Sequence, residues 1–431
     1  MTSPAGRWPG ARAFDRFRGF EPDARRFLLV TLVAGAATSL WWIDFNLYLA
    51  SLEFSPSRIG LISASGSAAM ALSAFPASAL SDRFGRRAIM IGGVLASIVA
   101  VIGLVATSNE LAILLLVALF GVGSEAVAVV ATPFMTEHSR PEHRSELFAA
   151  QYALTSVTNV IAAALGGVVA RVIADSLGFA ADGPQTYRVI LVFMALLLAA
   201  GLVVVLRLRH DRPVLGAGRP AGRSSLARLG LTISDRRTFL RILLPGLLIA
   251  VGAGQVIPFL NLFVQTKFGL DLVALNGLFA LTSIGTMAAI LYQPTLARRF
   301  GRLRSVVLVQ GASIPFLIVL GFSPLLWLVI AAMAVRNSLM NAGNPIFSAF
   351  AMDQVSPAER ATLSAAMSLL WSVGWIVGGV YYSAAQAALG FESGYAVNFL
   401  TIIVLYTLAT TLYWRWFRHA EERLPIEAAA A

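Results

Sequence analysis

Apolar residues occur along the chain in long runs that are separated by short polar breaks. The runs fall at 27–50, 58–80, 88–106, 111–135, 147–173, 187–206, 238–264, 272–296, 305–322, 325–351, 361–389 and 395–417. Most of them are long enough to cross a hydrocarbon core of about 30 Å as an α-helix. The pattern therefore predicts an all-α membrane protein with twelve transmembrane spans, numbered here in chain order.

One long hydrophilic stretch lies between spans, at 207–237, and it is rich in Arg, Gly, Pro and Ser. It follows the sixth span and is typical of a flexible linker. The chain is thereby divided into an N-terminal bundle at 27–206 and a C-terminal bundle at 238–417. The segments 1–26 and 418–431 remain as an N-terminal segment and a tail.

Composition supports lipid as the solvent. The chain of 431 residues is 58% hydrophobic and only 13% charged, about half the charged share of a soluble protein. It has no cysteine, and its four histidines have no metal-ligand spacing. No Walker or dinucleotide pattern is present. We therefore expect no metal, no cofactor and no catalytic residue, so the chain is not predicted to be an enzyme.

The net charge of +11 is distributed by side of the membrane. When the N-terminus is placed in the cytoplasm, most of the 33 lysines and arginines fall on the cytoplasmic side. The opposite side holds Arg58, Arg171, Arg188 and Lys267, and Arg336 lies within a span. The positive-inside rule then predicts a multi-pass bacterial inner (plasma) membrane protein with both termini cytoplasmic. Anionic lipid is the expected partner of the basic charge, and nucleic acid is not.

The two halves share a repeat at a spacing of 216 residues. The motif Arg-Phe-Gly-Arg at 83–86 recurs at 299–302, and Glu137 recurs as Asp353. Each match has the same place relative to a span, which indicates duplication of a six-helix unit. Because six is even, the halves have the same orientation and are related by an axis along the membrane normal.

The loop between spans 2 and 3 carries the most specific motif. Residues 78–87 are Ser-Ala-Leu-Ser-Asp-Arg-Phe-Gly-Arg-Arg. This matches the major facilitator superfamily pattern Gly-x-x-x-Asp-Arg-x-Gly-Arg-Arg/Lys except at the first glycine. The chain resembles that superfamily over nearly its whole length. The resemblance implies twelve helices in two pseudo-symmetric six-helix bundles, and a monomeric transporter that works by alternating access.

The resemblance also implies a latch on the cytoplasmic rim, in which Asp82 faces the second bundle and Arg86 meets Glu137. Charge-assisted hydrogen bonds of this kind hold one end state and break in the other. The second half is less regular, since Arg298 occupies the position that matches Asp82. The alternative is that these arginines serve topology alone. The latch set is Asp82, Arg83, Gly85, Arg86, Arg87, Glu137, Arg302 and Asp353.

Three ionisable residues lie deep in spans: Asp44 in span 1, Glu125 in span 4 and Arg336 in span 10. A charge at the bilayer centre costs about 2.5–3.5 kcal/mol on insertion scales and usually serves a pathway or a partner. Glu125 and Arg336 have similar depth in equivalent helices. We expect them to face each other or a shared substrate, and the alternative is an ion pair that only fixes packing.

Polar residues in three spans recur at helical spacing and are predicted to line a central cavity. The alternative is that they bond helix to helix. We expect that second role for Asn46, which points away from Asp44, together with its repeat mate Asn261. The cavity set is Trp41, Asp44, Tyr48, Glu125, Gln151, Thr155, Asn159, Arg336, Asn337, Asn341 and Asn344.

These features predict a secondary transporter of a small organic solute. Protons are the candidate coupling ion, with Asp44 or Glu125 as the acid, and Arg336 is the candidate contact for an anionic group. Efflux is slightly favoured, because Trp41 and Tyr48 beside an acid suit amphipathic or cationic solutes. The alternatives are an uptake symporter for a carboxylate or sugar-like nutrient, and a non-transporting sensor or assembly factor with the same fold.

Overall fold

The computed structural model describes residues 20–139, 144–180, 182–209, 235–356 and 359–418. This part of the chain is helical and contains no β-strand, so the predicted all-α fold is confirmed. The predicted linker lies largely outside the described residues, as do most of the N-terminal segment and nearly all of the tail.

Six helices form the N-terminal bundle. They are α1 (Pro22–Ser51), α2 (Pro56–Phe84), α3 (Arg86–Ala106), α4 (Glu110–Glu137), α5 (Arg144–Leu177) and α6 (Pro184–Leu206). Proline opens α1, α2 and α6, where its missing N–H and fixed φ suit the first turn.

The C-terminal bundle begins with a broken span. It comprises α7 (Arg236–Val256), a 3₁₀ turn (Ile257–Phe259), α8 (Leu260–Phe268), α9 (Leu272–Phe300), α10 (Arg302–Phe322), α11 (Leu326–Asp353) and α12 (Arg360–Phe417). Span 7 thus corresponds to α7, the 3₁₀ turn and α8. Pro258 lies within the turn and has no N–H to continue the helical ladder.

Glycine at matching repeat positions permits two of the chain reversals. Gly85 (φ 90°) separates α2 from α3, and Gly301 (φ 81°) separates α9 from α10 at the matching repeat position. A third glycine, Gly390 (φ 72°), lies inside α12. Tyr382 and Tyr395 on either side of it are hydrogen bonded at 2.9 Å, so α12 folds back on itself there. The φ of each glycine is one that L residues rarely adopt.

Ten segments among the described residues are long and apolar enough to cross a membrane. One of them is most of α12, which Gly390 divides into two arms. In α9 the segment Leu272–Met287 qualifies only as a shorter apolar helix. The membrane-spanning helical architecture is confirmed, and the count of twelve stays a prediction.

The two ends of the molecule differ in the loops that they carry. The end with the loops at 84–86, 300–302 and 353–360 is called the basic end. The end with the loops at 51–56, 268–272 and Gly390 is called the far end. The bundles meet mainly where α2 packs on α12 and α5 packs on α9, with α1 against α8 between them.

Candidate functional site

A central cavity lies between the two bundles. Its empty volume is about 770 Å³, including the part that is open to solvent. The N-terminal bundle supplies one wall through α1, α2 and α4, and the C-terminal bundle supplies the other through α7, the 3₁₀ turn and α12. Its described lining includes Thr38, Trp41, Trp42, Phe45, Asn46, Ser63, Ser67, Phe120, Ser124 and Trp375.

A three-ring stack forms the N-terminal wall. Trp41 lies between Phe45, with ring centroids 3.9 Å apart, and Phe120, with centroids 3.8 Å apart. Trp41 and Phe45 are one turn apart on α1, so they lie on the same face of the helix. Stacked rings add attraction beyond the area that they bury, so this wall is firm and apolar.

A tryptophan contact joins the two bundles across the cavity. Trp42 of α1 and Trp375 of α12 meet edge to face, with centroids 5.5 Å apart at 80°. Trp42 is 46% exposed, although it is a large apolar side chain. The indole Nε1 of Trp375 is buried and has no hydrogen-bond partner among the described residues. A buried donor without a partner is costly, so a ligand acceptor that reached this atom would be favoured.

Four hydroxyl groups of the lining already donate within the protein. Ser63 donates to the Asn46 side-chain oxygen (3.0 Å), and Ser67 donates to the Ser63 carbonyl (3.2 Å). Thr38 and Ser124 donate to carbonyls one turn earlier on their own helices. Their protons are therefore engaged, and their oxygens retain lone pairs as acceptors. Among the described residues, no charged side chain lines the cavity.

A reciprocal asparagine pair closes the far side of the cavity. The Asn46 amide donates to the carbonyl of Pro258, and the Asn261 amide donates to the carbonyl of Ile43 (2.5 Å). The two donor residues, Asn46 and Asn261, are 215 residues apart in the sequence, and so are the two acceptor residues, Ile43 and Pro258. The two bonds are therefore related by the repeat. The expectation that Asn46 and Asn261 hold helices together agrees with this geometry.

Glycines bring two further pairs of helices close together. A Cβ atom on Gly60 would lie 2.8 Å from Cδ1 of Tyr382, and one on Gly167 would lie 3.0 Å from the carbonyl oxygen of Leu272. At such distances the neighbouring atom would have to shift. The close approach of α2 to α12 and of α5 to α9 therefore depends on a glycine at each contact. The asparagine pair and these glycine contacts are together called the far-end seal.

Asp44 lies beside the seal and away from the cavity lining. It is 3% exposed, and its Oδ1 accepts a hydrogen bond from the Asn276 amide of α9 at 3.0 Å. Within the described part of the chain, neither its buried Oδ2 nor the buried side-chain oxygen of Asn276 has a hydrogen-bond partner. Asp44 is therefore a buried carboxyl group at the contact between the bundles, with a neutral partner.

The other residues of the span 1 and span 5 stripes have separate environments. Tyr48 is buried and donates to the Leu104 carbonyl of α3 (2.7 Å), inside the N-terminal bundle. Asn159 is exposed and accepts from Ser39 of α1. Gln151 and Thr155 are half-buried, and Thr155 donates to the Gln151 carbonyl (3.0 Å). Of the predicted span 1 face, only Trp41 lines the cavity.

Arg336 and Glu125 do not form an ion pair in this state, within the part of the chain that the structure describes. Arg336 is buried and donates to the Tyr406 hydroxyl and to the Asn337 side-chain oxygen, both at 3.0 Å. Glu125 is half-buried on α4. The two exposed asparagines of α11 complete the span 10 stripe: Asn341, which donates to the Asn337 carbonyl (2.9 Å), and Asn344.

At the basic end, the described contacts of Arg86 and Arg87 lie within the N-terminal bundle. Arg86 of α3 forms an ion pair with Glu137 of α4 at 2.9 Å and donates to the Ser81 hydroxyl at 2.7 Å. Arg87 donates to the Leu206 carbonyl of α6 (2.6 Å). The predicted contact of Arg86 with Glu137 is thus present.

The remaining latch residues are only partly described. Arg83 is exposed and lies over the ring of Phe84, and Asp353 is exposed at the end of α11. The side chains of Asp82 and Arg302 lie outside the described residues. Their roles in a latch stay predictions.

Several functional candidates escaped the sequence analysis. Asn276 occurs as a single amide in an apolar run, and Phe120 is indistinguishable from core aromatics. Trp375 had a usable signal, because Trp371 and Trp375 repeat at one-turn spacing in span 11, and the structure places their rings 6.0 Å apart.

The sequence was compared with known proteins. The family model of the Major Facilitator Superfamily matches residues 27–379. A search of the curated proteins found no match.

Among solved structures, similar folds include three transporters. The nucleoside transporter NupG aligns with a TM-score of 0.73 at 13% identity, over 91% of this chain and 99% of that one. A bacterial homologue of the human lysosomal transporter Spinster, in an inward-facing and unoccupied conformation, aligns with a TM-score of 0.70 at 16% identity. The alignment covers 98% of this chain and 100% of that one. A D-xylose–proton symporter aligns with a TM-score of 0.71 at 13% identity, and the alignment covers 91% of this chain and 97% of that one.

Proposed function

Because the chain belongs to the Major Facilitator Superfamily, we propose that it is a secondary transporter that carries a small organic solute across a membrane by alternating access. One observation carries the proposal. A cavity between the two bundles is closed at the far end by contacts that join the bundles, including the reciprocal bonds of Asn46 and Asn261. A site that is closed at one end by separable contacts is what alternating access requires.

The distribution of arginine supports an orientation for this state. The positive-inside rule places the basic end in the cytoplasm. The far-end seal is then the extracellular gate, and the state described here is closed to the outside. In the opposite state the seal would be broken and the bundles would meet at the basic end, where the latch residues lie.

Asp44 supports proton coupling. An ionised carboxylate is costly to bury unless it is paired and fully hydrogen bonded. Asp44 accepts one hydrogen bond from a neutral amide, and its second oxygen is unpartnered. A proton bound at Asp44 would remove this cost when the seal closes. Closure of the far end and proton binding would then favour each other, which links proton movement to solute movement.

The first experiment measures solute counterflow and internal pH in proteoliposomes that contain a pH-sensitive dye. The substitution Asp44→Asn should keep solute exchange and abolish the pH change that accompanies net transport, because an amide mimics a protonated carboxyl group. Asp175→Asn is the matched control, since Asp175 lies on α5 in an exposed ion pair with Arg171.

If the Asp44→Asn variant still shows the pH change, coupling does not pass through Asp44. If the variant is stable but no longer exchanges solute, the role of Asp44 is not confined to coupling. The sign of the pH change, with the direction of net flux, distinguishes proton symport, which an inward proton gradient drives as uptake, from antiport, which it drives as efflux. Absence of counterflow for every solute tested on folded protein would favour the non-transporting alternative.

A further inference from the structure

We propose that the central cavity binds a neutral, planar heteroaromatic compound that carries N–H or O–H donors and at least one acceptor. This inference rests on the proposed function and names the class of solute. It follows from three properties of the described lining residues: aromatic surface on both bundles, no charged side chain among them, and an uneven supply of hydrogen-bond donors and acceptors.

Tryptophan ring surface is one feature that the cavity offers a ligand. The half-buried ring of Trp41 lies between the buried rings of Phe45 and Phe120, and Trp42 of the same bundle meets the half-buried Trp375 of the other bundle. Trp42 keeps 46% of its surface exposed while it lines the cavity. A flat ring covers such surface with offset or edge-to-face contacts, each worth more than its buried area alone. A globular aliphatic solute would leave part of this surface uncovered.

The described lining residues carry no charge, which selects against ions. Asp44 is engaged with Asn276 beside the seal, and Arg336 is engaged with Tyr406 inside the C-terminal bundle. Glu125 follows Ser124 in sequence, but adjacent residues on a helix point about 100° apart, and Glu125 is not part of the described lining. An ionic ligand would therefore lose hydration without gaining a counter-charge.

The polar atoms of the lining define the complementary groups on the ligand. The hydroxyls of Thr38, Ser63, Ser67 and Ser124 have donated their protons within the protein, so they present acceptor lone pairs. The Trp375 indole has the opposite character, because Nε1 is a donor without a partner. A ligand that supplies several donors and one acceptor satisfies both sets. An amide or amino group on a heteroaromatic ring has this pattern.

Equilibrium binding to the purified full chain tests the class with probes that share one ring and differ in charge. The probes are radiolabelled nicotinamide, which is neutral, nicotinate, which is an anion, and 1-methylnicotinamide, which is a cation; D-glucose serves as a non-planar polyol. We expect nicotinamide to bind at least about tenfold more tightly than each of the other three.

A variant pair then locates the binding. Trp375→Phe keeps a ring and removes the Nε1 donor, so nicotinamide affinity should fall about fivefold, the effect of one hydrogen bond. Trp327→Phe is the control, because Trp327 lies in the first turn of α11 and is 65% exposed. Thermal unfolding of both variants should match that of the parent, so that the loss reports on binding.

Equal or tighter binding of an ion or of glucose would overturn the inference, and so would no binding of nicotinamide or an equal effect of the two substitutions. These results leave the proposed function separately testable. Counterflow of another solute would then show a transporter with a different substrate class, whereas nicotinamide binding without any counterflow would show the site without transport.

Discussion

The two ends of this molecule are built from different chemistry. At the far end, the bundles are joined by neutral amides that donate to backbone carbonyls and by glycines that allow close approach. At the basic end, the described contacts of Arg86 and Arg87 fix helices of one bundle to each other. Apart from Asp44, for which we propose protonation on closure, a gate made of these neutral groups would open and close without stripping water from ions, which is costly. The charged contacts instead hold helices of the N-terminal bundle together.

This comparison predicts that a clash at the seal has the largest effect. In Gly60→Val, the added side chain would meet the ring of Tyr382 and hold the far end open. Overpacking costs about 1–3 kcal/mol, which corresponds to a shift of roughly five- to 150-fold toward the open state. Counterflow should fall by a similar factor. Gly92→Val is the control, because a Cβ on Gly92 would meet nothing within 4 Å.

The open state is measured by cysteine labelling. The chain has no cysteine, so Ser57→Cys adds a single thiol. Ser57 lies at the contact between α2 and α12, where its Oγ is 3.1 Å from Oγ of Ser383. A membrane-impermeant maleimide applied from the far side should label Gly60→Val rapidly and the parent slowly. Equal labelling of the Gly60 and Gly92 variants would show that the contact of α2 with α12 does not form the gate.

Loss of the asparagine bonds should have an intermediate effect. Asn46→Ala and Asn261→Ala each remove one bond between the bundles, worth about 1 kcal/mol, so labelling of Ser57→Cys should rise about fivefold in each. Because the two bonds lie in one interface, the double variant should deviate from additivity. Asn341→Ala, an exposed site on α11, is the control. Unchanged labelling in both single variants would remove the pair from the gate.

The smallest effect is expected at the basic end. Glu137 is 41% exposed in its ion pair with Arg86, and such pairs contribute about 0.2–1 kcal/mol. Glu137→Gln should therefore lower the unfolding temperature slightly, and added salt should reduce the difference. Labelling of Ser57→Cys should match that of the parent. A large rise in labelling would mean that this pair acts across the molecule and not only within its own bundle.

The sequence was most informative about features that repeat. Helical spans, the duplicated unit and the mate relation of Asn46 to Asn261 all follow from spacing along the chain, and so does the Arg86–Glu137 contact once the family motif is seen. The partner of Asp44 does not follow, because it depends on how α9 is rotated against α1. For the same reason Arg336 contacts Tyr406, 70 residues away, and not Glu125. The position of a residue along its span predicts its depth in the membrane. Two residues at the same depth are in contact only if their helices are neighbours and turn those side chains toward each other.

The reciprocity of Asn46 and Asn261 bears on the ancestry of the chain. Each asparagine donates to the carbonyl that is equivalent to the one its mate uses, so the two bonds exchange under a two-fold rotation. This is the geometry of an isologous interface between two identical subunits. In such an interface, if residue i of the first subunit contacts residue j of the second, then residue j of the first also contacts residue i of the second. In a homodimer of six-helix subunits, a single asparagine codon would create both bonds at once. Fusion of the two genes would then preserve a gate that had already formed between separate molecules.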